Sequence, residues 1–291
     1  MEITPLALLT VAGAALAYSG LDVLRKLLAE EIGPIALLVL LTLGSMPLFV
    51  LWALSEGSWE VGAGYLVPGV GTIALNVAAN LAFLQAVRVS PLSLTIPYLS
   101  LTPVFATVLA IPLLGELPTA LQNGGIVLVV VGAFWLNLPA DGSVSLRAVG
   151  RGLVEERGSL LMILTALCWS LAAPLDKLAI GASSPALHAL IMMTGITVAG
   201  LVLLGARGEM GQLVTRRWKL VGAAIGVTAL GAGLNFVALT LVWVGFIETF
   251  KRALGSALAL VWGRLVFSEE ILANRLIAVL LMGVGVALIL W

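Results

Sequence analysis

The chain has 291 residues, 61% of them hydrophobic and only 10% charged, at a mean hydropathy of +1.15. That apolar content is far above a soluble domain's and identifies an integral membrane protein. Fifteen Lys and Arg balance fifteen Asp and Glu, which argues against a nucleic-acid role.

An apolar run begins at Ile3 with no basic stretch before it and no small-residue cleavage site after it, so it reads as a retained first helix rather than a signal peptide. Apolar runs of helix length recur at about 3–22, 33–54, 63–87, 91–113, 120–138, 159–180, 183–204, 219–243, 246–267 and 272–291. The expected fold is therefore all-α, with ten transmembrane helices. The longest polar connection, residues 140–158, follows the fifth span and separates a first five-helix unit, 1–139, from a second, 159–291. The single cysteine, Cys168, lies in an apolar run and reads as a core residue.

Along this order, polar residues stand out against the apolar background. Tyr18 in the first span and Trp169 in the sixth occupy equivalent places, either lining a cavity or anchoring at an interface. Asn76 and Asn80 share one face of the third span, and Asn235 sits in the eighth; buried amides serve as interhelical glue or as substrate contacts. The fourth span carries Pro97 and Pro103 inside an apolar helix, flanked by hydroxyls at Ser93, Thr95, Tyr98, Ser100 and Thr102. Each proline removes a backbone donor and clashes one turn back. A kink or break there frees carbonyls, tolerable at membrane depth only where protein or a water-filled cavity covers them, and a plain packing kink is the alternative to a binding role.

The ninth span, Gly245 to Phe267, is the most informative. It is mostly apolar yet carries Glu248, Lys251, Arg252 and Arg264. A charge at the bilayer centre costs at least about 2.5 to 3.5 kcal/mol, so such residues face a cavity or an ion partner. Glu248 lies one turn before both Lys251 and Arg252 and can pair with either, and one carboxylate against two cations leaves a net positive centre suited to a carboxylate or phosphate. The alternative is that both cations snorkel to an interface. Arg264, close to the end of its span, reads as an interfacial anchor.

Asp22 and Asp176 fall near helix ends, where simple exposure is expected, with proton coupling as the alternative. His188, the only histidine, follows Ser184-Pro185; a structural or interfacial role is expected, with a protonation switch as the alternative. Glycines 124, 125 and 132 in the fifth span and 283 and 285 in the tenth predict close packing of the terminal helices of each half, as scaffold or dimer contact.

The two halves show weak internal similarity. Tyr18-Ser19 to Arg25-Lys26-Leu27 aligns with Trp169-Ser170 to Asp176-Lys177-Leu178 at a constant offset, and Asn80-Leu81 pairs with Asn235-Phe236. Gly115-Glu116 after the fourth span matches Glu269-Glu270 after the ninth. Because five is odd, the copies enter the membrane from opposite sides, which makes them inverted repeats with a substrate site near the midplane. This alignment sets the cationic turn of the ninth span opposite Thr95-Ile96-Pro97-Tyr98.

Ten spans in two halves, the tract Ser90-Pro91 to Glu116, and its partner ending Phe267-Ser268-Glu269-Glu270 resemble the drug/metabolite transporter superfamily, specifically its EamA-type branch. The adjacent Lys251-Arg252 is similar to the pair with which the related sugar-phosphate and nucleotide-sugar transporters hold phosphate. The resemblance implies transport of small solutes, and cytoplasmic termini. Charge implies the reverse: twelve of the fifteen Lys and Arg fall beside the odd-numbered connections, which the positive-inside rule places in the cytoplasm, with both termini outside.

The expected function is a secondary carrier in a prokaryotic plasma membrane, moving a small polar or anionic metabolite by alternating access, with proton or counter-substrate coupling. Its expected site comprises Lys251, Arg252, Glu248, Tyr98, Thr95, Asn80, Asn235, Trp169 and Tyr18. No cofactor is expected, and the chain acts as monomer or homodimer. No GxxxxGK[ST] loop occurs to hydrolyse nucleotide, and the absence of HExxH and GxSxG argues against an enzyme. The alternatives are an exporter of amino acids or amphipathic amines, and a channel or lipid translocator.

Overall fold

The computed structural model describes residues 3–29, 31–89, 96–136, 157–267 and 273–291. Among these, ten α-helices and no strands occur: α1 Pro5–Leu28, α2 Pro34–Glu56, α3 Leu66–Val89, α4 Thr102–Leu114, α5 Ala120–Leu136, α6 Arg157–Gly181, α7 Pro185–Ala206, α8 Trp218–Leu241, α9 Val244–Phe267 and α10 Ala273–Leu290. Helices suit the composition because each satisfies its own backbone hydrogen bonds, the only open-chain way to place a backbone in hydrocarbon. Six of them are long and apolar enough to cross a bilayer: α1, α2, α3, α6, α7 and α8. The ninth helix has the length, at 24 residues, but its charges set it apart from that group.

Local chemistry fixes the helix ends. Prolines open α1, α2, α4 and α7, where the missing N–H has no intrahelical partner to lose. Thr4 and Ser184 cap α1 and α7, each accepting a backbone N–H at 3.2 Å. Gly57 and Gly115 end α2 and α4 with φ of 69°, a left-handed conformation that glycine adopts without steric cost.

The fourth span is not one helix. Ile96–Leu101 forms a 3₁₀ turn of 6 residues, and α4 follows with 13. At about 1.5 Å per residue α4 alone reaches roughly 20 Å. The 3₁₀ turn adds about 12 Å in series, and only together do they approach the roughly 30 Å of a hydrocarbon core. What the prolines mark here is a change of winding, a 3₁₀ turn that runs directly into α4, with Pro103 in the first turn of α4 and Pro112 inside it near its end.

The chain forms two compact units, each drawing on segments from both halves of the sequence. One is built from Ala78–Pro174 and Val242–Trp291. In it α5 packs closely on α10: a Cβ built on Gly125 would stand 2.5 Å from the Gly285 carbonyl, and one on Gly132 2.9 Å from the Ala278 carbonyl. Gly124 and Gly283 meet nothing within 4 Å, so the close approach rests on Gly125, Gly132 and Gly285. At the start of α9, a Cβ on Gly245 would collide with Thr107 of α4. Fully buried Phe246, Ile247, Met162 and Met282 fill this unit's core.

The other unit comprises Thr4–Val77 and Leu175–Leu241. Here α1 lies along α8, and α2 lies along α7. Gly200 lets α7 meet Val39 of α2, where a Cβ would come within 2.5 Å. One turn away the Thr197 hydroxyl donates to Thr42 Oγ1 at 2.8 Å. Arg217, ahead of α8, bonds Glu31 at 2.6 Å and the Leu27 carbonyl at 3.1 Å, tying the α1–α2 connection to the start of α8.

Candidate functional site

In the unit containing α4 and α9, the broken fourth span and the charged ninth helix meet. The guanidinium of Arg252 donates from Nη2 to the Leu99 carbonyl at 2.7 Å. The same carbonyl accepts from Thr102 Oγ1 at 2.7 Å. Leu99 lies in the 3₁₀ turn, and Pro103, four residues on, has no N–H to offer its carbonyl, which takes side-chain donors instead. The cationic turn was expected opposite Thr95 to Tyr98. Its observed anchor is one residue further on, and Thr95 lies outside the described residues.

Lys251 Nζ pairs with Glu248 Oε1 at 2.7 Å, their side chains only 19% and 15% exposed. Burying ions is costly, and the pair tolerates it because each neutralises the other at contact distance. With Arg252 one residue along, the three formal charges leave the turn net positive. Arg264 is exposed in the last turn of α9, apart from this cluster.

Around Leu99 an aromatic wall forms. Tyr98 and Leu99 pack with Ala86, Met162 and Ala166, and against them lie Phe83, Phe105 and Trp169. The rings of Phe83 and Trp169 are 6.1 Å apart. The neighbouring Ser100 is fully buried, and its Oγ is the buried side-chain oxygen with no hydrogen-bond partner among the described residues. Such an orphaned hydroxyl costs about 1 to 3 kcal/mol where it stands. The unit thus brings together Lys251, Arg252, Glu248, Tyr98 and Trp169, with Asn80 half-buried in its part of α3. Tyr18 and Asn235 belong to the other unit, where Tyr18 packs beside Gly231 of α8 and Asn235 is half-buried.

Glu116 has a role that the sequence did not disclose. Its Oε2 accepts the N–H of Val244, the first residue of α9, at 2.7 Å. A carboxylate at a helix N-terminus satisfies an orphan donor and complements the helix dipole. The Gly-Glu that closes the fourth span therefore also fixes the start of the ninth.

The second unit holds a buried polar chain that sequence reasoning missed. Asp176 was expected to be exposed near its helix end. Instead it is 7% exposed, because it faces inward onto two donors. Thr72 Oγ1 donates to its Oδ1 at 2.5 Å, and His188 Nε2 meets the same oxygen at 3.0 Å. His188, fully buried, contacts Tyr65 Oη through Nδ1 at 3.0 Å, and its ring stands edge-on to Phe236. Asn76 Nδ2 donates to the Thr72 carbonyl at 3.0 Å. Tyr65 lies just ahead of α3, and burial, with the nearby Asp176 charge, pushes its phenol up to about 12. The only available signal was the short turn joining α6 to α7, which brings Asp176 and His188 to one end of the fold; Tyr65 and Thr72 are more than a hundred residues away from their partners.

A profile of the EamA-like transporter family matches residues 5–138 and again 156–291. The chain belongs to the EamA-like transporter family. Members are membrane transporters of the drug/metabolite transporter superfamily, in keeping with the apolar helices found here. The EamA-like match does not single out the sugar-phosphate and nucleotide-sugar branch. A solved crystal structure of a protein 16% identical aligns over 97% of this chain and 95% of its own, with a TM-score of 0.81, a likeness of fold alone. No curated protein matches the chain.

Proposed function

We propose that this EamA-like chain is a secondary carrier that moves a small polar or anionic metabolite by alternating access, with its binding site at the 3₁₀ turn of the fourth span and the charged turn of α9. The contact of Arg252 with the Leu99 carbonyl, beside the orphaned Ser100 hydroxyl, carries this reading. A guanidinium offers a planar fork that matches carboxylate or phosphate, and a substrate oxygen would satisfy Ser100. The net positive charge of Glu248, Lys251 and Arg252 selects an anion. The family profile's match to each half supports two related five-helix halves, arranged as inverted repeats.

The aromatic wall of Tyr98, Phe83 and Trp169 favours a second reading, export of an amphipathic amine, with the rings facing the cation. A thermal-shift screen of purified protein separates the two, because a ligand that binds the native state raises its apparent stability. Stabilisation by phosphorylated or carboxylate metabolites supports the anion reading, and stabilisation confined to amines overturns it.

A further inference from the structure

The chain Tyr65–His188–Asp176–Thr72 has no part in the anion site above. The Asp176 carboxylate and the His188 imidazole are both buried and in direct contact, and the pair has two protonation states that keep these contacts. With neutral imidazole, Nε2–H donates to Asp176, Nδ1 accepts from the Tyr65 phenol, and the pair carries one negative charge. With one proton added, the charge is zero. In both states the carboxylate keeps its hydrogen bonds from Thr72 Oγ1 and from Nε2–H, so the geometry accommodates either one.

We propose that Asp176 and His188 form a proton-binding site loaded through Tyr65. A proton arriving at Tyr65 Oη lets the phenol pass its own proton to Nδ1, giving an imidazolium that faces Asp176 through Nε2–H and a phenol that has kept one proton. Release runs the same transfers backwards. The phenol is suited to this relay because its raised acidity constant, about 12, keeps it neutral. The turn that carries it is held by Tyr65 N–H on the Gly62 carbonyl at 3.0 Å, and it borders an open hollow lined in part by Ser58, Glu60, Gly62, Ala182 and Ser183.

Among the described residues, the groups around His188 come from four elements. Asp176 comes from α6, with Lys177 next to it in sequence; Tyr65 comes from the turn before α3, and α3 adds neutral Thr72 and Asn76. The eighth helix presents the Phe236 ring. At the end of α2, Glu56 accepts the Ala186 N–H at 3.4 Å, two residues before His188, and Glu60 lines the hollow. Proton binding stands on this geometry by itself; its coupling to solute movement rests on the carrier reading.

His188 is the only histidine, so tag-free protein labelled with ¹⁵N-histidine yields the two ring-nitrogen signals of a single imidazole. In the wild type both ring nitrogens should shift with pH in one reversible step while the protein stays folded. Asp176→Asn should lower the proton affinity read from that step roughly tenfold or more, since an opposite charge at contact is lost. Tyr65→Phe, which keeps the ring, should displace the Nδ1 signal even if the Asp176 variant does not fold. A wild-type signal that does not move with pH, or variants that titrate as the wild type does, overturns the site. In proteoliposomes a pH gradient should drive accumulation by wild type and not by D176N. Counter-flow without any pH-driven component overturns the coupling; absence of counter-flow in a protein that still titrates overturns the carrier reading and leaves the proton site standing.

Discussion

Removing the Glu116 carboxylate should loosen the helix that carries the proposed site. Glu116 accepts the Val244 N–H at 2.7 Å, and Val244 opens α9. A hydrogen bond to a charged group contributes about 1.5 to 3 kcal/mol. Favourable interaction with the helix dipole adds about 0.3 to 1 kcal/mol. Glu116 is only half-buried, so the lower ends apply, and Glu116→Ala should cost about 2 kcal/mol. For a chain of this size, that corresponds to a fall of roughly 4 to 8 °C in melting temperature. Glu116→Gln retains an acceptor and loses the charge, so it should fall between alanine and wild type. Thermal unfolding in one detergent, followed by tryptophan fluorescence, reads all three. A melting point for E116A within about 1 °C of wild type, or E116Q no better than E116A, would refute the role assigned to this residue.

Gly125→Leu should destabilise by about 1 to 3 kcal/mol or more, because its side chain enters the Gly285 backbone, whereas Gly124→Ala should be neutral or slightly stabilising; thermal melts of the two variants check this. Alkaline pH should weaken the fold through Tyr65. The buried phenol holds its proton to about 12 while an unfolded one releases it near 10, so between those values the unfolded state binds fewer protons and stability falls as pH rises, by about 3 kcal/mol across the window. Tyr65→Phe should flatten that part of the stability–pH curve, and an unchanged slope would contradict the burial argument. The charge bias predicts that a reporter fused after Trp291 is inactive in the cytoplasm; an active one would place the termini inside.

Much of the architecture was legible because bilayer physics is read from length and polarity. The predicted seventh span, 183–204, appears as Pro185–Ala206, its start fixed by the Ser184-Pro185 cap. The ninth span announced itself through Glu248, Lys251 and Arg252, and the Glu248–Lys251 pair formed at the spacing expected of one helical turn. Pro97 and Pro103 marked the irregular stretch of the fourth span, which takes the form of a 3₁₀ turn; Pro103 has no N–H to offer the Leu99 carbonyl four residues back, but the distant donor that this carbonyl meets, Arg252, was not legible. Long-range pairings were harder. Nothing in the sequence around Tyr65 points to its partner His188, 123 residues away. Asp176 looked exposed because sequence shows the end of a helix and not which side faces the interior. Glu116 was seen as a closing motif, and its bond to Val244, 128 residues away, depends on how α9 starts.

The most direct test of the carrier account is counter-flow of a labelled substrate identified by the thermal-shift screen, in proteoliposomes preloaded with the unlabelled compound. Wild type should take up label faster when preloaded, and the Lys251→Ala/Arg252→Ala double variant, still monodisperse and helical, should lose that uptake. Normal counter-flow by the double variant would contradict the placement of the site, and uptake by wild type that ignores preloading would contradict a carrier.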